Sequence, residues 1–122
     1  MISLIIPTYN EEKAIGETLS HLTRKLTLPH EIIVSDDKSL DLTVSTARKY
    51  TNKVLSPEHK HISIAANRNA GAQKATGDFL VFMDADSSML DPDAFFTRAL
   101  ADFSDHPEIS SHRSAACRAE FA

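Results

Sequence analysis

The chain has 122 residues and a net charge of −4 at neutral pH, with 42% hydrophobic and 25% charged residues. This is the composition of one ordinary globular domain, and no Lys/Arg-rich run points to a nucleic-acid partner. The single cysteine, Cys117, excludes a disulfide within the chain. No apolar segment approaches the roughly 20 residues that span a bilayer. We therefore expect a cytoplasmic protein with no transmembrane segment, and peripheral association with a membrane stays open.

The first half of the chain predicts two strands, each followed by a helix. The apolar run 2–6 is closed by Pro7 and is typical of a buried strand. Asn10 is then expected to be the N-cap of an amphipathic helix, because apolar residues recur after it at spacings of three and four. The run 31–35 predicts the second strand, and 41–50 predicts the second helix.

The second half continues this alternation. Residues 53–55 predict a short third strand, and the alanine-rich segment 64–76 predicts a helix with Gly77 as its C-terminal stop. Residues 79–83 are the most strand-like run of the chain. The Asp-Pro-Asp sequence at 91–93 supplies a cap, a proline at the first helical position and an acidic first turn, which predicts a final helix.

Apolar strands that alternate with helices predict an α/β fold, Rossmann-like, with a mostly parallel sheet and helices on both faces. We expect this domain to occupy residues 1–109 and to be followed by an irregular tail over 110–122. Ligands of such sheets bind outside the carboxyl ends of the strands. Polar residues follow three of the predicted strands, which indicates one crevice at that edge.

Two carboxylates flank Ala85 at the end of the most strand-like run. Asp84 and Asp86 offer the oxygen ligands that Mg²⁺ and Mn²⁺ prefer, and such ions complete their shells with phosphate oxygens and water. Asp-x-Asp also occurs as a plain polar strand end. The motif therefore points to a metal-bound diphosphate only in combination with the other loops.

Three further segments place polar groups at the same edge. Asp36 and Asp37 are adjacent acids at a buried strand end, where they either contact ribose hydroxyls and a base N–H or cap a helix. The connector 7–11 has no glycine, which excludes the dinucleotide fingerprint and the Walker-type phosphate loop. Its Tyr9 can stack on a base or belong to a simple connector. Arg68 either reaches a phosphate or base or is a solvated helix charge.

The order and spacing of these segments resemble the family 2 glycosyltransferases, which have a GT-A fold. The likeness covers about residues 2–103 and rests on three stretches: P-T-Y-N-E, E-I-I-V-S-D-D-K-S-L-D and R-N-A-G-A-Q-K-A-T-G-D-F-L-V-F-M-D-A-D. This resemblance implies transfer of a sugar from a nucleotide-diphosphate sugar donor to an acceptor that the sequence does not identify. It also implies inversion at the sugar and a divalent metal cofactor, Mg²⁺ or Mn²⁺.

The resemblance also implies a role for each matching residue. The implied nucleotide-sugar-binding residues are Pro7, Thr8, Tyr9, Glu11, Asp36, Asp37, Arg68, Asn69 and Asp84. Asp37, with Asp36 beside it, is expected at the base or ribose, and Asp84 at the sugar or ribose. Asp86 is expected to bind the metal, with Asp84 beside it, where the cation neutralises charge on the leaving nucleoside diphosphate.

Two departures from the family pattern bear on this expectation. The family usually has glycine where this chain has Lys38, so Lys38 is expected either in a costly left-handed conformation or with its cation near the phosphates. The chain also ends before the region in which the family carries its acceptor site and general base. The remaining carboxylates match no motif (Asp102, Asp105, Glu108 and Glu120), so the catalytic base is unknown. We therefore expect a truncated or frame-disrupted chain that binds the donor without transferring the sugar.

Three other interpretations stay open from sequence alone. A receiver-like phospho-acceptor signalling domain has a similar length, but its paired acids follow the first strand rather than the second. A haloacid-dehalogenase-like phosphatase shares the strand followed by Asp-x-Asp, but that motif normally opens its domain. A non-catalytic nucleotide-binding remnant would have the same site and no chemistry.

Overall fold

A computed structural model describes residues 1–58 and 63–108, together with the backbone of residues 112–113 and 120–121. Strands and helices alternate through the first 105 residues in the predicted order. No described helix combines the length and apolar character that crossing a membrane requires. The elements are β1 (Ile2–Thr8), α1 (Ile15–Lys25), β2 (His30–Asp36), α2 (Thr43–Ala47), β3 (Val54–Leu55), α3 (Ile64–Lys74), β4 (Phe79–Phe82), α4 (Pro92–Asp105), β5 (His112–Arg113) and β6 (Glu120–Phe121).

The strands form one sheet in the order β3-β2-β1-β4-β6-β5. Central β1 pairs in parallel with β2 and with β4, and β3 pairs in parallel with β2. β6 pairs antiparallel with both β4 and β5. The predicted mostly parallel sheet is confirmed, and its parallel part brings the carboxyl ends of four strands to one edge.

Alternate residues of β1 face two different helical layers. Leu4 and Ile6 belong to a buried cluster that also contains residues of α1 and Phe96 of α4. Ile5 faces the opposite side, where a Cβ atom added to Gly71 of α3 would lie 2.5 Å from the Ile5 Cγ2 atom. Helices therefore cover both faces, as predicted, and the glycine allows α3 to lie close against the sheet.

The predicted start of α1 is wrong. Asn10 has a left-handed backbone with φ of 50°, and α1 begins at Ile15 without a side-chain cap. The Asn10 side-chain oxygen accepts a hydrogen bond from the Leu40 N–H at 2.9 Å instead. The asparagine failed as a cap because its side chain binds a second loop that is distant in the sequence.

The predicted role of Gly77 is also wrong. α3 ends at Lys74, and Gly77 does not adopt the left-handed conformation of a helix stop. A Cβ atom at Gly77 would lie 2.6 Å from the Met1 carbonyl oxygen and 2.6 Å from Ser3 Oγ. Glycine is required here because two chain segments approach each other closely.

The other helix predictions differ in accuracy. Asp91 caps α4 as predicted, with its carboxylate accepting the Ala94 N–H at 3.0 Å. α2 is shorter than the predicted segment 41–50. The tail 110–122, expected to be irregular, contains the two short strands β5 and β6, and its other residues, including Cys117, lie outside the described residues.

Candidate functional site

The carboxyl ends of β1, β2 and β4 surround a cavity of about 440 Å³, which we call the carboxyl-edge cavity. Seven of the ten side chains predicted for the site line it, and they come from three separate strand ends. Asp37 and Asp86 therefore share one cleft. The full lining is Pro7, Thr8, Tyr9, Glu11, Asp37, Ile64, Asn67, Asp84, Ala85 and Asp86.

The turn that carries Asp84 and Asp86 is anchored to α1. The carbonyl of buried Ala85 accepts a hydrogen bond from Thr18 Oγ1 at 2.7 Å, and the Ser87 N–H donates to the Asp84 carbonyl at 3.1 Å. Ala85 is buried, whereas the aspartates on either side of it both line the cavity. The fold thus presents two carboxylates from one fixed turn.

Arg68 of α3 lies beside this turn. Its Nη2 atom is 3.5 Å from Asp84 Oδ1, with about a third of the Arg68 side chain exposed. Its Nε atom is buried and has no hydrogen-bond partner among the residues that the structure describes. At that distance and exposure the ion pair adds little stability. Arg68 is therefore a cation next to the acids rather than part of the cavity lining.

Negative charge accumulates around Glu11. Burial raises the pKa of the Glu11 carboxyl above its ordinary value, and the charges of Asp86, Asp41 and Asp84 raise it further. A raised carboxyl pKa indicates that the charged form lacks sufficient compensation. The acids of the cavity consequently favour a bound cation.

These carboxylates fit a cation that brings other ligands with it. Within residues 1–58 and 63–108, no group of three or more histidine, cysteine or acidic side chains could hold a metal alone. Mg²⁺ and related hard ions typically take one or two protein carboxylates and complete their shells with phosphate oxygens and water. Asp84 and Asp86 supply that number of carboxylates at the cavity wall.

The two adjacent acids at the carboxyl end of β2 have different environments. Asp37 lines the cavity, and its Oδ2 atom accepts the Ser63 N–H at 2.9 Å. Asp36 is fully buried outside the lining, and its carboxylate accepts hydrogen bonds from Thr8 Oγ1 at 2.7 Å and from both the backbone and the hydroxyl of Ser39. Of the predicted pair, only Asp37 lines the cavity.

α3 presents different residues to the cavity than the sequence indicated. Predicted Asn69 is exposed and does not line the cavity, whereas Asn67 is 2% exposed and lines it together with Ile64. Residues 64, 67, 68 and 71 share one face of a helix. Arg68 alone does not select between its two neighbours, because Asn67 and Asn69 are displaced equally to either side of it around the helix.

The unusual Lys38 adopts the left-handed conformation that its position indicated, with φ of 56°. Its ammonium group lies 3.1 Å from the Glu58 carboxylate, and both side chains are largely exposed. Lys38 does not line the carboxyl-edge cavity. Of the two expectations for this residue, the structure supports the strained backbone.

A second cavity of about 320 Å³ adjoins the first and shares Asp86 with it. It follows α1 and is lined by charged side chains of both signs, including Lys13, Glu17 and Arg24. The Asp86 carboxylate is therefore reachable from two sides. The candidate bases Asp102, Asp105 and Glu108 line neither cavity, and the side chain of Glu120 lies outside the described residues.

Comparison with known proteins identifies a matching protein family. The family model for glycosyl transferase family 2 matches residues 3–116. A validoxylamine A glucosyltransferase of Streptomyces hygroscopicus subsp. limoneus is 37% identical over 90 residues, covering 69% of this chain and 20% of the relative. A mouse dolichyl-phosphate beta-glucosyltransferase is 32% identical over 122 residues, covering 88% of this chain and 38% of the relative. The chain thus spans well under half the length of these relatives.

Solved structures share the fold. The mannosyltransferase PcManGT from Pyrobaculum calidifontis, in complex with GDP-Man and Mn²⁺, has a TM-score of 0.81 at 25% identity over 93% of this chain and 35% of that chain. Staphylococcus aureus TarS, in complex with UDP-GlcNAc, has a TM-score of 0.75 at 32% identity over 90% of this chain and 32% of that chain. The nucleotide-binding part of a GT-A fold, expected from the sequence, is confirmed.

Proposed function

The chain belongs to glycosyl transferase family 2, and we propose that its carboxyl-edge cavity binds the nucleoside diphosphate of a sugar donor. The proposed reaction is metal-dependent transfer of that sugar to an acceptor, with inversion. The observation that carries the proposal is the convergence of Asp37, Asp84 and Asp86 with Glu11 around one cavity. A volume of about 440 Å³ lies in the range of small-molecule sites.

The nucleoside is proposed to occupy the β1–β2 side of the cavity. Tyr9 is 39% exposed, so its ring has an accessible face on which a base can stack. The buried Asp37 carboxylate is an acceptor for a base N–H or a ribose hydroxyl. Pro7, Thr8 and Glu11 complete this side.

The diphosphate is proposed to lie beside the Asp84–Asp86 turn. Asp86 would hold Mg²⁺ or Mn²⁺ with Asp84 beside it, and the bound cation would supply counter-charge for the departing nucleoside diphosphate. Arg68 lies close enough to Asp84 to add a second positive charge near the phosphates. Relatives crystallised with UDP-GlcNAc, or with GDP-Man and Mn²⁺, support this arrangement.

Electrostatics gives the proposal a specific consequence. A diphosphate that enters the cavity alone meets Glu11, Asp37, Asp84 and Asp86, four acids with one adjacent arginine. Repulsion between these acids and the negatively charged diphosphate opposes binding. Nucleotide affinity should therefore depend strongly on the divalent cation.

The phosphatase and receiver-like interpretations are not consistent with membership of glycosyl transferase family 2. Membership of glycosyl transferase family 2 accounts for Asp84 and Asp86 without a phospho-aspartate, which both the receiver-like domain and the phosphatase require. A non-catalytic nucleotide-binding protein would share the proposed binding and would differ only in the transfer step.

A thermal-shift panel tests the proposal. The 122-residue chain is heated with UDP, GDP, CDP and their sugar conjugates, each with and without Mn²⁺. A true ligand at about one hundred times its Kd adds roughly 2.7 kcal/mol to the free energy of unfolding. One nucleotide series should produce this shift, chiefly with Mn²⁺, and the absence of a shift with every nucleotide would refute the proposal.

Two aspartate variants separate the site from general charge effects. Asp86→Ala should abolish the Mn²⁺-dependent part of the shift. Asp78→Ala is the matched control, because Asp78 lies at the opposite edge of the sheet, where it pairs with the amino terminus. An unchanged shift in Asp86→Ala would remove the metal assignment.

A further inference from the structure

The loop after β1, which lines the carboxyl-edge cavity, is bound to the loop that follows Asp37, and we call this contact the loop clamp. The loops are residues 9–12 after β1 and residues 38–43 after β2. Asn10 and Glu12 each donate from the backbone and accept on the side chain, so the contact is reciprocal. The bonds are Asn10 N to Ser39 Oγ 2.8 Å, Leu40 N to Asn10 Oδ1 2.9 Å, Glu11 N to Thr43 Oγ1 2.8 Å, Glu12 N to Asp41 Oδ2 3.3 Å and Leu42 N to Glu12 Oε2 3.1 Å.

The centre of the clamp is the Ser39 hydroxyl. It accepts from the Asn10 N–H and donates to Asp36 Oδ1 at 2.6 Å. The same Asp36 carboxylate accepts from Thr8 Oγ1 and from the Ser39 N–H. A continuous hydrogen-bonded path thus runs from Thr8 through Asp36 and Ser39 to Asn10.

This path brackets the side chains that face the cavity. Tyr9 lies between the anchored residues Thr8 and Asn10, and Asp37 directly follows anchored Asp36. Their backbones are therefore fixed although neither side chain belongs to the path. A site whose ligand-facing groups are held in advance loses less conformational freedom on binding.

Each of the two clamped loops contains one residue with a left-handed backbone. Asn10 and Lys38 have φ of 50° and 56°, and among the described residues they are the non-glycine positions in the left-handed region. Each lies in one of the two clamped loops. L-residues occupy this region at an energetic cost, so surrounding interactions must maintain it.

We propose that Asp36 and Ser39 are positioning residues, which touch no part of the donor and hold Tyr9, Glu11 and Asp37 in their binding geometry. This inference rests on the proposed donor site. It assigns to Asp36 a role different from that of Asp37, although the two acids are adjacent.

The test compares variants of one hydroxyl. Ser39→Ala removes both bonds at the centre of the clamp and should raise the Kd for the Mn²⁺-bound nucleoside diphosphate about tenfold, which corresponds to about 1.4 kcal/mol. Ser39→Thr keeps the hydroxyl and should restore most of the affinity. Ser45→Ala is the matched control, because the Ser45 hydroxyl donates only to the Leu42 carbonyl in the described structure.

Calorimetric Kd values are measured under conditions in which every variant is folded, so a purely structural role of Ser39 would leave them unchanged. Equal affinities for Ser39→Ala and the unmodified chain would overturn the inference. Amide hydrogen exchange provides a readout without any donor: Ser39→Ala should accelerate exchange at residues 10, 40 and 42 and not within β1. If the unmodified chain binds no nucleotide, the proposed function fails, and unchanged exchange in Ser39→Ala separately refutes the clamp.

Discussion

The acids Glu31 and Glu11, which lie at opposite ends of the parallel strands, have opposite electrostatic environments. At the amino edge, Glu31 is 8% exposed and binds Ser3, Lys53 and both the backbone and hydroxyl of Thr76. Burial alone would raise the pKa of Glu31, but these hydrogen bonds outweigh it and lower the pKa to about 2. At the carboxyl edge, burial and neighbouring acids raise the pKa of Glu11.

This difference separates an acid that stabilises the fold from the acids of the proposed ligand site. The charge of Glu31 is fully compensated by its own chain, so its ionised form stabilises the native state. The charges around Glu11 are compensated only in part, so an added cation should be favourable there. The predictions below test whether the two edges behave as these environments indicate.

The largest effect is expected from Glu31→Gln. A pKa lowered from 4.5 to about 2 corresponds to about 2 to 3 kcal/mol once the partial exposure of Lys53 is considered. Urea denaturation should therefore show a loss of that size in the free energy of unfolding. The nucleotide affinity of the folded variant should be unaffected. A parallel loss of affinity would contradict the assignment of a purely structural role to Glu31.

The same carboxyl should govern acid stability. Because the folded pKa of Glu31 lies below the ordinary value of 4.5, its contribution is complete above pH 4.5 and is lost as the pH falls toward 2. Glu11 has the opposite effect, because its raised pKa means that the folded chain favours the protonated carboxyl. Its contribution to stability is therefore present at low pH and is lost as the pH rises through the folded pKa. Stability measured from pH 6 to pH 2 should decline steeply, and Glu31→Gln should flatten the decline.

Gly77 is closely packed at the amino ends of the strands. Gly77→Ala should therefore lower the free energy of unfolding by about 1 to 3 kcal/mol. The added Cβ atom would lie 2.6 Å from the Met1 carbonyl oxygen and from Ser3 Oγ, which itself binds Glu31. Gly16→Ala is the control, since it meets only the Thr46 methyl at 3.1 Å and gains helix propensity in α1. Equal effects of the two variants in thermal denaturation would contradict this packing.

The smallest effect is expected from Glu11→Gln and has the opposite sign to that of Glu31→Gln. Removing one charge relieves repulsion with Asp86, Asp41 and Asp84, so the ligand-free chain should gain a few tenths of a kcal/mol. The Mn²⁺-dependent shift with nucleotide should shrink at the same time. A clear destabilisation without ligand would show that Glu11 is already compensated.

The sequence predicted those features that depend on neighbouring residues. The runs 2–6, 31–35 and 79–83 agree with strands because a parallel sheet buried on both faces requires continuous apolar residues. The Asp-Pro-Asp start of α4 was equally recognisable because a helix cap is a local interaction. The common edge of these strands then placed seven predicted side chains in one cavity.

The features that the sequence did not reveal depend on distant partners. Asn10 resembles a helix cap, but its partners Ser39 and Leu40 lie about thirty positions away. Asp36 and Asp37 look alike in sequence, but Asp36 is bound by Thr8 and Ser39, whereas Asp37 lines the cavity. The alanine-rich α3 has no clear apolar face, so its sequence does not indicate which side of the helix faces the sheet. The choice between Asn67 and Asn69 therefore required the structure.

A calorimetric titration tests most directly whether the carboxyl edge is built for a cation-bridged diphosphate. The nucleoside diphosphate with the largest thermal shift is titrated into the chain and into Asp86→Ala, with and without Mn²⁺. Mn²⁺ should tighten binding to the unmodified chain by about tenfold or more and should have little effect on binding to Asp86→Ala. Affinity that is independent of Mn²⁺, or equal in the two proteins, would contradict the account.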